Sequence, residues 1–322
     1  MTTTQAAVAA GPRASRLRSY VRLGKLDVYD YYLSVFVALS AAAAGTAGLD
    51  PAALPAVVLL LAGEVLLVAS SVALDDITGF LDGSDLTNYG PDHPLRNKLR
   101  KPLVSGALTL RQARGFAAGT AAGAAVLWAA AVAVAPHRPT GTLVLMGVLY
   151  AGALQYSWGL KLSYHGFQES FLVAIGAGFV LAPHGLATGS WPQFLLVQAV
   201  LFGFGPLMFG VYSNTNDVDG DRAVGRPTVA ARTSARGNAR FVAALCVLEC
   251  AVGVGASAAG IAPWWFPLVM LPATALRAVQ YVTGFRRGDT MRARRLGFTT
   301  HRLATALLVT ANLLLLVPGA AA

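Results

Sequence analysis

Residues 194–226 read "FLLVQAVLFGFGPLMFGVYSNTNDVDGDRAVGR". The first nineteen carry one strongly polar side chain, Gln198, and the next fourteen carry three aspartates, two asparagines and two arginines. An apolar run of about 20 residues is what an α-helix needs to cross the hydrocarbon core of a bilayer. The segment is therefore a membrane helix whose end is crowded with carboxylates.

The rest of the chain supports that reading. Of 322 residues, 55% are hydrophobic and 12% are charged, against roughly 25% charged in a soluble domain. Nine segments are long and apolar enough to span: 28–48, 53–74, 113–135, 141–158, 167–187, 192–213, 239–259, 263–281 and 300–318. The fifth and eighth are the weakest, interrupted by Pro183 with His184 and by Pro272. Of the 25 Lys and Arg residues, 23 fall before the first span or after the even-numbered spans; Arg138 lies in an opposite loop and Arg277 inside span 8. By the positive-inside rule this places the N-terminus and the long loops in the cytoplasm of a multi-pass inner or plasma membrane protein. The net charge of +10 is then a topology signal, and no nucleic-acid module is needed to explain it. The expected architecture is an all-α integral membrane protein, a bundle of nine transmembrane helices over 28–318. A basic, disordered tail precedes it over 1–27, and a short tail follows over 319–322. Cys246 and Cys250, one helical turn apart in an apolar run, read as small hydrophobes.

The 15 acidic residues cluster. Asp75, Asp76, Asp82 and Asp85 end the second span, and Asp217, Asp219 and Asp221 end the sixth. On a helical continuation of the sixth span, Asn214, Asp217 and Asp221 share one face. Like charges at i, i+4 repel, and a divalent cation removes the objection. Hard oxygen donors of this kind suit Mg2+, which binds through one or two carboxylates plus substrate phosphates. Cations interleave with the acids. Lys101, Arg100 and Arg222 are the candidates to meet phosphate oxygens, and Arg96, Lys98 and Arg226 lie nearby. Glu64, Ser71 and Asp75 fall on one helical face, so a polar stripe descends from the first cluster into the membrane. Glu64 either lines a cavity or packs, protonated, against another helix. Glu249, Arg277, His184 and Asn312 read as buried structural pairs. Tyr31, Tyr32, Trp158 and Tyr164 read as interfacial residues.

"NTNDVDGDRAVGRPTVAAR" (214–232), with Asn214, Asp217, Asp221, Gly225 and Thr228, resembles the second aspartate-rich motif of the UbiA superfamily of intramembrane prenyltransferases. "RKPLVSGALT" (100–109) resembles the basic element after that family's first motif. "QYSWGLKLSYHGFQES" (155–170) is similar to the branch that prenylates 1,4-dihydroxy-2-naphthoate, through Tyr156, Gly159, Tyr164, Gly166 and Glu169. The first motif departs from the family pattern NDxxDxxxD. With Asp75 as its middle aspartate, Ser71 and Val72 stand where Asn and Asp would be. The metal ligands must then be redistributed among Asp75, Asp76 and Asp82.

The resemblance implies a magnesium-dependent enzyme that moves a prenyl group from its diphosphate to an aromatic or other hydrophobic acceptor. Asp75, Asp76, Asp217 and Asp221 would be catalytic through metal, with Asp82 and Asn214 as further ligands. Lys101, Arg100 and Arg222 would contact the diphosphate, and Ser71, Glu64, Tyr156 and Lys161 the substrates. Two other classes compete. A terpene cyclase of the same superfamily shares the ionisation machinery, and a secondary transporter would instead place its site near the midplane on interrupted helices.

Overall fold

The computed structural model describes residues 15–45, 48–89 and 100–318. Residues 1–14 of the expected tail, Arg96, Lys98 and the C-terminal tail 319–322 lie outside them. Among the described residues the regular elements are all helical. They are α1 (Arg16–Leu23), α2 (Ser34–Ala44), α3 (Leu54–Asp82), α4 (Ser84–Asn88), α5 (Leu110–Val134) and α6 (Thr140–Gln155). There follow α7 (Gln168–Thr188), α8 (Gln193–Asn216), α9 (Val218–Ala223), α10 (Val229–Arg232), α11 (Ala235–Ala258), α12 (Phe266–Tyr281) and α13 (Thr290–Leu314).

A helix overlaps each segment marked in the sequence. Among the described residues five helices, spanning Pro51–Asp82, Leu110–Val134, Gln168–Thr188, Gln193–Asn216 and Ala235–Ala258, are long and apolar enough to cross a membrane. Tyr31–Ala44 and Thr140–Gln155 are shorter apolar helices. Helices α7 and α12 run unbroken through Pro183 and Pro272, because neighbouring helices hold what a proline would break in isolation.

Local chemistry sets the boundaries. The Thr109 side chain and Gln112 form a reciprocal capping box at the start of α5, satisfying donors a bare helix end leaves open. Ser234 caps α11 through Gly237 N at 3.1 Å. Asp289 caps α13 through Arg292 N at 2.8 Å, so this helix starts at Thr290 rather than near 300 and takes Arg292, Arg294 and Arg295 into its first turns. Helix α3 continues to Asp82, past the predicted end at 74, and stops where Gly83 turns to φ +87°. The first acidic cluster is thus helical. At the other end of the expected tail, residues 16–23 form α1 instead of a disordered stretch: Leu23 is fully buried and the Tyr20 ring stacks on Phe116 at 5.4 Å.

Packing runs through small residues. Helices α3 and α5 meet along Ala113, Ala117, Ala124 and Ala131, all buried, with Ser70 Oγ donating to Ala117 O at 2.8 Å. Small residues along α5 let it approach α3 closely, although Gly115 and Gly119 face open space. Helices α7 and α8 touch backbone to backbone. A Cβ on Gly203 would stand 2.4 Å from the carbonyl oxygen of Val173, and one on Gly176 2.8 Å from Gly203 Cα. Gly203→Ala is therefore expected to destabilise the protein by about 1–3 kcal/mol, read as a lower thermal midpoint in detergent. An unchanged midpoint would show that the two helices separate freely.

The intramembrane polar residues expected to pair, Glu249, Arg277, Asn312 and His184, do so. Arg277 donates from Nε and Nη2 to both Glu249 oxygens, at 2.7 and 2.9 Å, and from Nη1 to Gln280 at 2.7 Å. Asn312 bridges Gln198 and Ser40, and His184 Nδ1 lies 2.9 Å from Ser190 O.

Candidate active site

The C-terminal ends of α3, α6 and α8 and the N-terminal ends of α7 and α13 surround a cavity of about 330 Å3. Its wall includes Asp75 and Ser71 from α3, Asp85 from α4, Tyr156, and Asn214, Asp217 and Asp221 from α8 and α9. Lys25, Arg100, Lys101, Arg226 and Arg294 supply positive charge. Further along the helices the wall turns apolar, with Val68, Val72, Leu172, Ile175 and Phe209.

The second cluster is built by a break in helix geometry. Helix α8 ends at Asn216, Asp217 takes φ −108°, and α9 resumes at Val218. The turn keeps Asp221 N on Asp217 O at 2.9 Å, so the two carboxylates remain one turn apart as expected. Asn214 Oδ1 accepts from Gln168 Nε2 at 2.6 Å. Asp221 is 3% exposed and accepts from Thr228 Oγ1 at 3.0 Å. Burial pushes its carboxyl up to about 7, with Arg226 opposing and Asp217 adding to the rise. A carboxylate this reluctant to ionise gains most from a cation placed beside it.

In the first cluster, Asp75 Oδ1 accepts from Ser157 Oγ at 2.6 Å and Arg226 Nη2 at 2.7 Å. Both bonds use the same oxygen. Asp76 is 1% exposed and binds Lys101 Nζ at 2.8 Å and Lys25 Nζ at 3.2 Å. Lys101 also meets Asp85 at 2.8 Å. Burial alone would lower the Lys101 pKa, but Asp76 and Asp85 outweigh it and hold the ammonium charged. Burial likewise lifts Asp85 to about 6, against the pull of Lys101.

Several expected site residues lie elsewhere. Asp82 is not on the cavity. Its Oδ1 accepts from Ser84 N at 3.0 Å and Ser84 Oγ at 2.8 Å, capping α4, and its Oδ2 accepts from the Tyr164 hydroxyl. Asp76 lies behind Lys101 rather than on the wall. Arg222 is exposed and its Nε donates to Ala231 O at 3.0 Å, because on the short α9 it shares the exposed face of Asp219, three residues before it, while Asp221 turns inward. Arg226 takes the place expected of it. Its Nη2 also donates to Ser163 Oγ at 3.0 Å, its guanidinium lies 4.7 Å over the Tyr164 ring, and its Nε is buried without a hydrogen-bond partner. Arg100 lines the cavity but pairs with Asp27 at 2.5 Å. Lys161 is exposed and sits 5.0 Å over Tyr164. Tyr156 reaches the cavity and packs on Phe171, centroids 5.1 Å apart.

The polar stripe down α3 stops at Ser71, whose Oγ donates to Ala153 O at 2.7 Å. Glu64 does not line the cavity and instead accepts from Ser34 Oγ of α2 at 3.2 and 3.4 Å. Glu64→Gln keeps an acceptor for that hydroxyl, so turnover with saturating substrates is expected to stay within about threefold of wild type. A loss beyond tenfold would return Glu64 to the chemistry.

The sequence places Asp85 in the first acidic cluster without giving it a role, and it does not mark Lys25, Ser157, Gln168 or Arg294 as site residues: Lys25 falls in the basic tail, and no local pattern sets the other three apart. Arg294 Nε donates to Ser213 Oγ at 2.5 Å and its guanidinium lies 5.4 Å over Phe298, which stacks on Phe209.

No three His, Cys, Asp or Glu side chains among the described residues close on a point as a complete metal cage. The donor set fits Mg2+ in another way. Carboxylate and amide oxygens from two helix ends flank a cavity whose wall also holds the buried Gln168 Oε1, an acceptor with no donor. Such a set leaves coordination positions for water and phosphate.

Fold and site together define a helical membrane protein with an acid- and cation-lined cavity at one end of its bundle. The UbiA prenyltransferase family model matches residues 32–303, and the chain belongs to that family. A UbiA homologue from Archaeoglobus fulgidus bound to DMAPP and Mg2+ superposes with a TM-score of 0.63 at 15% identity, over 92% of this chain and 98% of that one. A UbiA homologue from Aeropyrum pernix K1 gives 0.62 at 18%, with the same coverage. A digeranylgeranylglyceryl phosphate synthase gives 0.60 at 13%, again over 92% and 98%. No curated protein sequence matches the chain.

Proposed function

We propose that the protein is a magnesium-dependent intramembrane prenyltransferase, transferring the prenyl group of a prenyl diphosphate to a hydrophobic aromatic acceptor. The observation that carries this is the single cavity shared by Asp75, Asp217 and Asp221, with Lys101 and Arg226 beside them and an apolar wall further down the helices. That layout suits a molecule with a polyanionic head and a hydrocarbon tail.

Asp75, Asn214, Asp217 and Asp221 would hold Mg2+, which supplies charge neutralisation for the departing pyrophosphate. Lys101 and Arg226 meet the remaining phosphate oxygens. The carbon–oxygen bond to the diphosphate breaks, pyrophosphate keeps the electron pair, and the allylic carbon is attacked by the acceptor ring, which then loses a proton. Tyr29, Tyr31, Tyr156 and Phe209 on the wall keep water from the cation and face it with π density.

The same reading takes α2, α3, α5, α6, α7, α8, α11, α12 and α13 as nine crossings with the acidic ends cytoplasmic. The placement of 23 of 25 basic residues supports it. The likeness of residues 155–170 to the naphthoate branch makes 1,4-dihydroxy-2-naphthoate the first acceptor to test.

The deciding experiment is turnover by purified protein with Mg2+ and prenyl diphosphates of several lengths, with and without aromatic acceptors. Acceptor-dependent pyrophosphate release with a prenylated product is the expected result. A cyclised product formed without acceptor would make the protein a terpene cyclase, and no Mg2+-dependent release would overturn both.

A further inference from the structure

The two acidic clusters look unequal in sequence and become equal in space. In the second, Asp217 and Asp221 stand one helical turn apart and both line the cavity. In the first, the residue one turn beyond Asp75 on α3 is Gly79. The volume its side chain would take is already filled. A Cβ on Gly79 would fall 2.8 Å from Asp85 Cγ and 3.0 and 3.1 Å from its two oxygens. Asp85 arrives from α4, which follows the turn at Gly83.

We propose that Asp85 is the second oxygen donor of the first acidic cluster, delivered to the vacant position over Gly79 by the folded-back α4, and that it binds Mg2+ together with Asp75. This rests on the prenyl diphosphate reading of the site. Asp85 lines the cavity, which Asp76 and Asp82 do not. Helix α4 is held for the purpose at both ends. Asp82 caps its start, and at its end Asn88 Oδ1 accepts from Gly220 N at 3.1 Å, tying α4 to the helix that carries Asp221. Gly220 is itself required there, since a Cβ would stand 2.3 Å from the Asn88 amide. Lys101, 2.8 Å away, is the counterion of Asp85 before metal and diphosphate arrive.

An independent sign of a ligand lies in the same cavity wall. Gln168 is 6% exposed, and its Oε1 has no hydrogen-bond partner. A hydrated divalent cation offers the water protons this oxygen lacks. The competing role for Asp85 is as a structural counterion of Lys101 alone.

The test is Mn2+ binding, read by electron paramagnetic resonance on the full chain in detergent, with and without pyrophosphate. Asp85→Asn is expected to weaken Mn2+ binding by about tenfold or more, while Asp219→Asn, an exposed acid of the second cluster, stays within about twofold. Gly79→Asp/Asp85→Ser returns a carboxylate to the same place from α3, and is expected to recover Mn2+ affinity to within about threefold. If Asp85→Asn does not fold, this double variant, which also restores a partner for Lys101, carries the test. Wild-type affinity in Asp85→Asn, or a folded double variant that binds Mn2+ about tenfold or more weaker than wild type, would overturn the assignment while leaving the enzyme reading in place. A wild-type protein that binds no Mn2+ under either condition would overturn both.

Discussion

Asp217→Ala is expected to lower Mg2+-dependent pyrophosphate release by about 10³-fold or more, close to 4 kcal/mol of transition-state stabilisation. Asp217 sits at the break between α8 and α9, one turn from the buried Asp221. Like charges one turn apart repel, and a cation between them turns that repulsion into shared attraction. Removing one leaves Mg2+ with too few fixed charges to stay against the diphosphate. Because Asp217 is the residue where α8 gives way to α9 and adopts φ −108°, alanine there perturbs little of the fold, and the thermal midpoint is expected to move by less than that of Gly203→Ala. Raising Mg2+ should restore part of the rate, since the defect is in metal affinity. A variant that keeps more than a tenth of wild-type turnover at low Mg2+ would remove Asp217 from the metal site.

The second large effect separates two arginines four residues apart. Arg226→Ala is expected to cost about 10²–10³ in kcat/KM for the prenyl diphosphate, the scale for losing one preorganised donor to developing negative charge. Arg222→Ala is expected to stay within about twofold. Arg226 lies on the cavity, donates to Asp75, Ser157 and Ser163, and stacks on Tyr164, whereas Arg222 is exposed and bonded to a backbone carbonyl. Arg226→Lys keeps the charge but loses the planar fork and the stacking, so it should fall between wild type and alanine. Equal losses in the two alanine variants would mean that the cavity reorganises on binding.

Much of this was legible along the chain. The positions of the long helices follow from apolar runs bounded by charge, because a bilayer demands about 20 apolar residues per crossing whatever the tertiary arrangement. The pairing of Asn214, Asp217 and Asp221 follows from helical spacing alone, since all three belong to one short segment. The family motif around them is equally local.

The divergent first cluster could not be resolved in that way. Asp75, Asp76, Asp82 and Asp85 are indistinguishable in a linear reading, and four different fates await them: cavity wall, Lys101 counterion, cap of α4, and occupant of the space over Gly79. What separates them is the turn at Gly83, which reverses the chain and takes the last of them back toward the first. Arg222 and Arg226 likewise differ only in which way a short helix and the following turn point them. Glu64 shares a helical face with Asp75, yet α2 lies against it and supplies Ser34. Hydrophobic patterning is set by the solvent each segment meets and can be read one segment at a time. The partner of a buried charge is set by which distant segments meet around it, and here Lys25 in the loop after α1, Lys101 before α5 and Asp76 in α3 meet only in the assembled bundle.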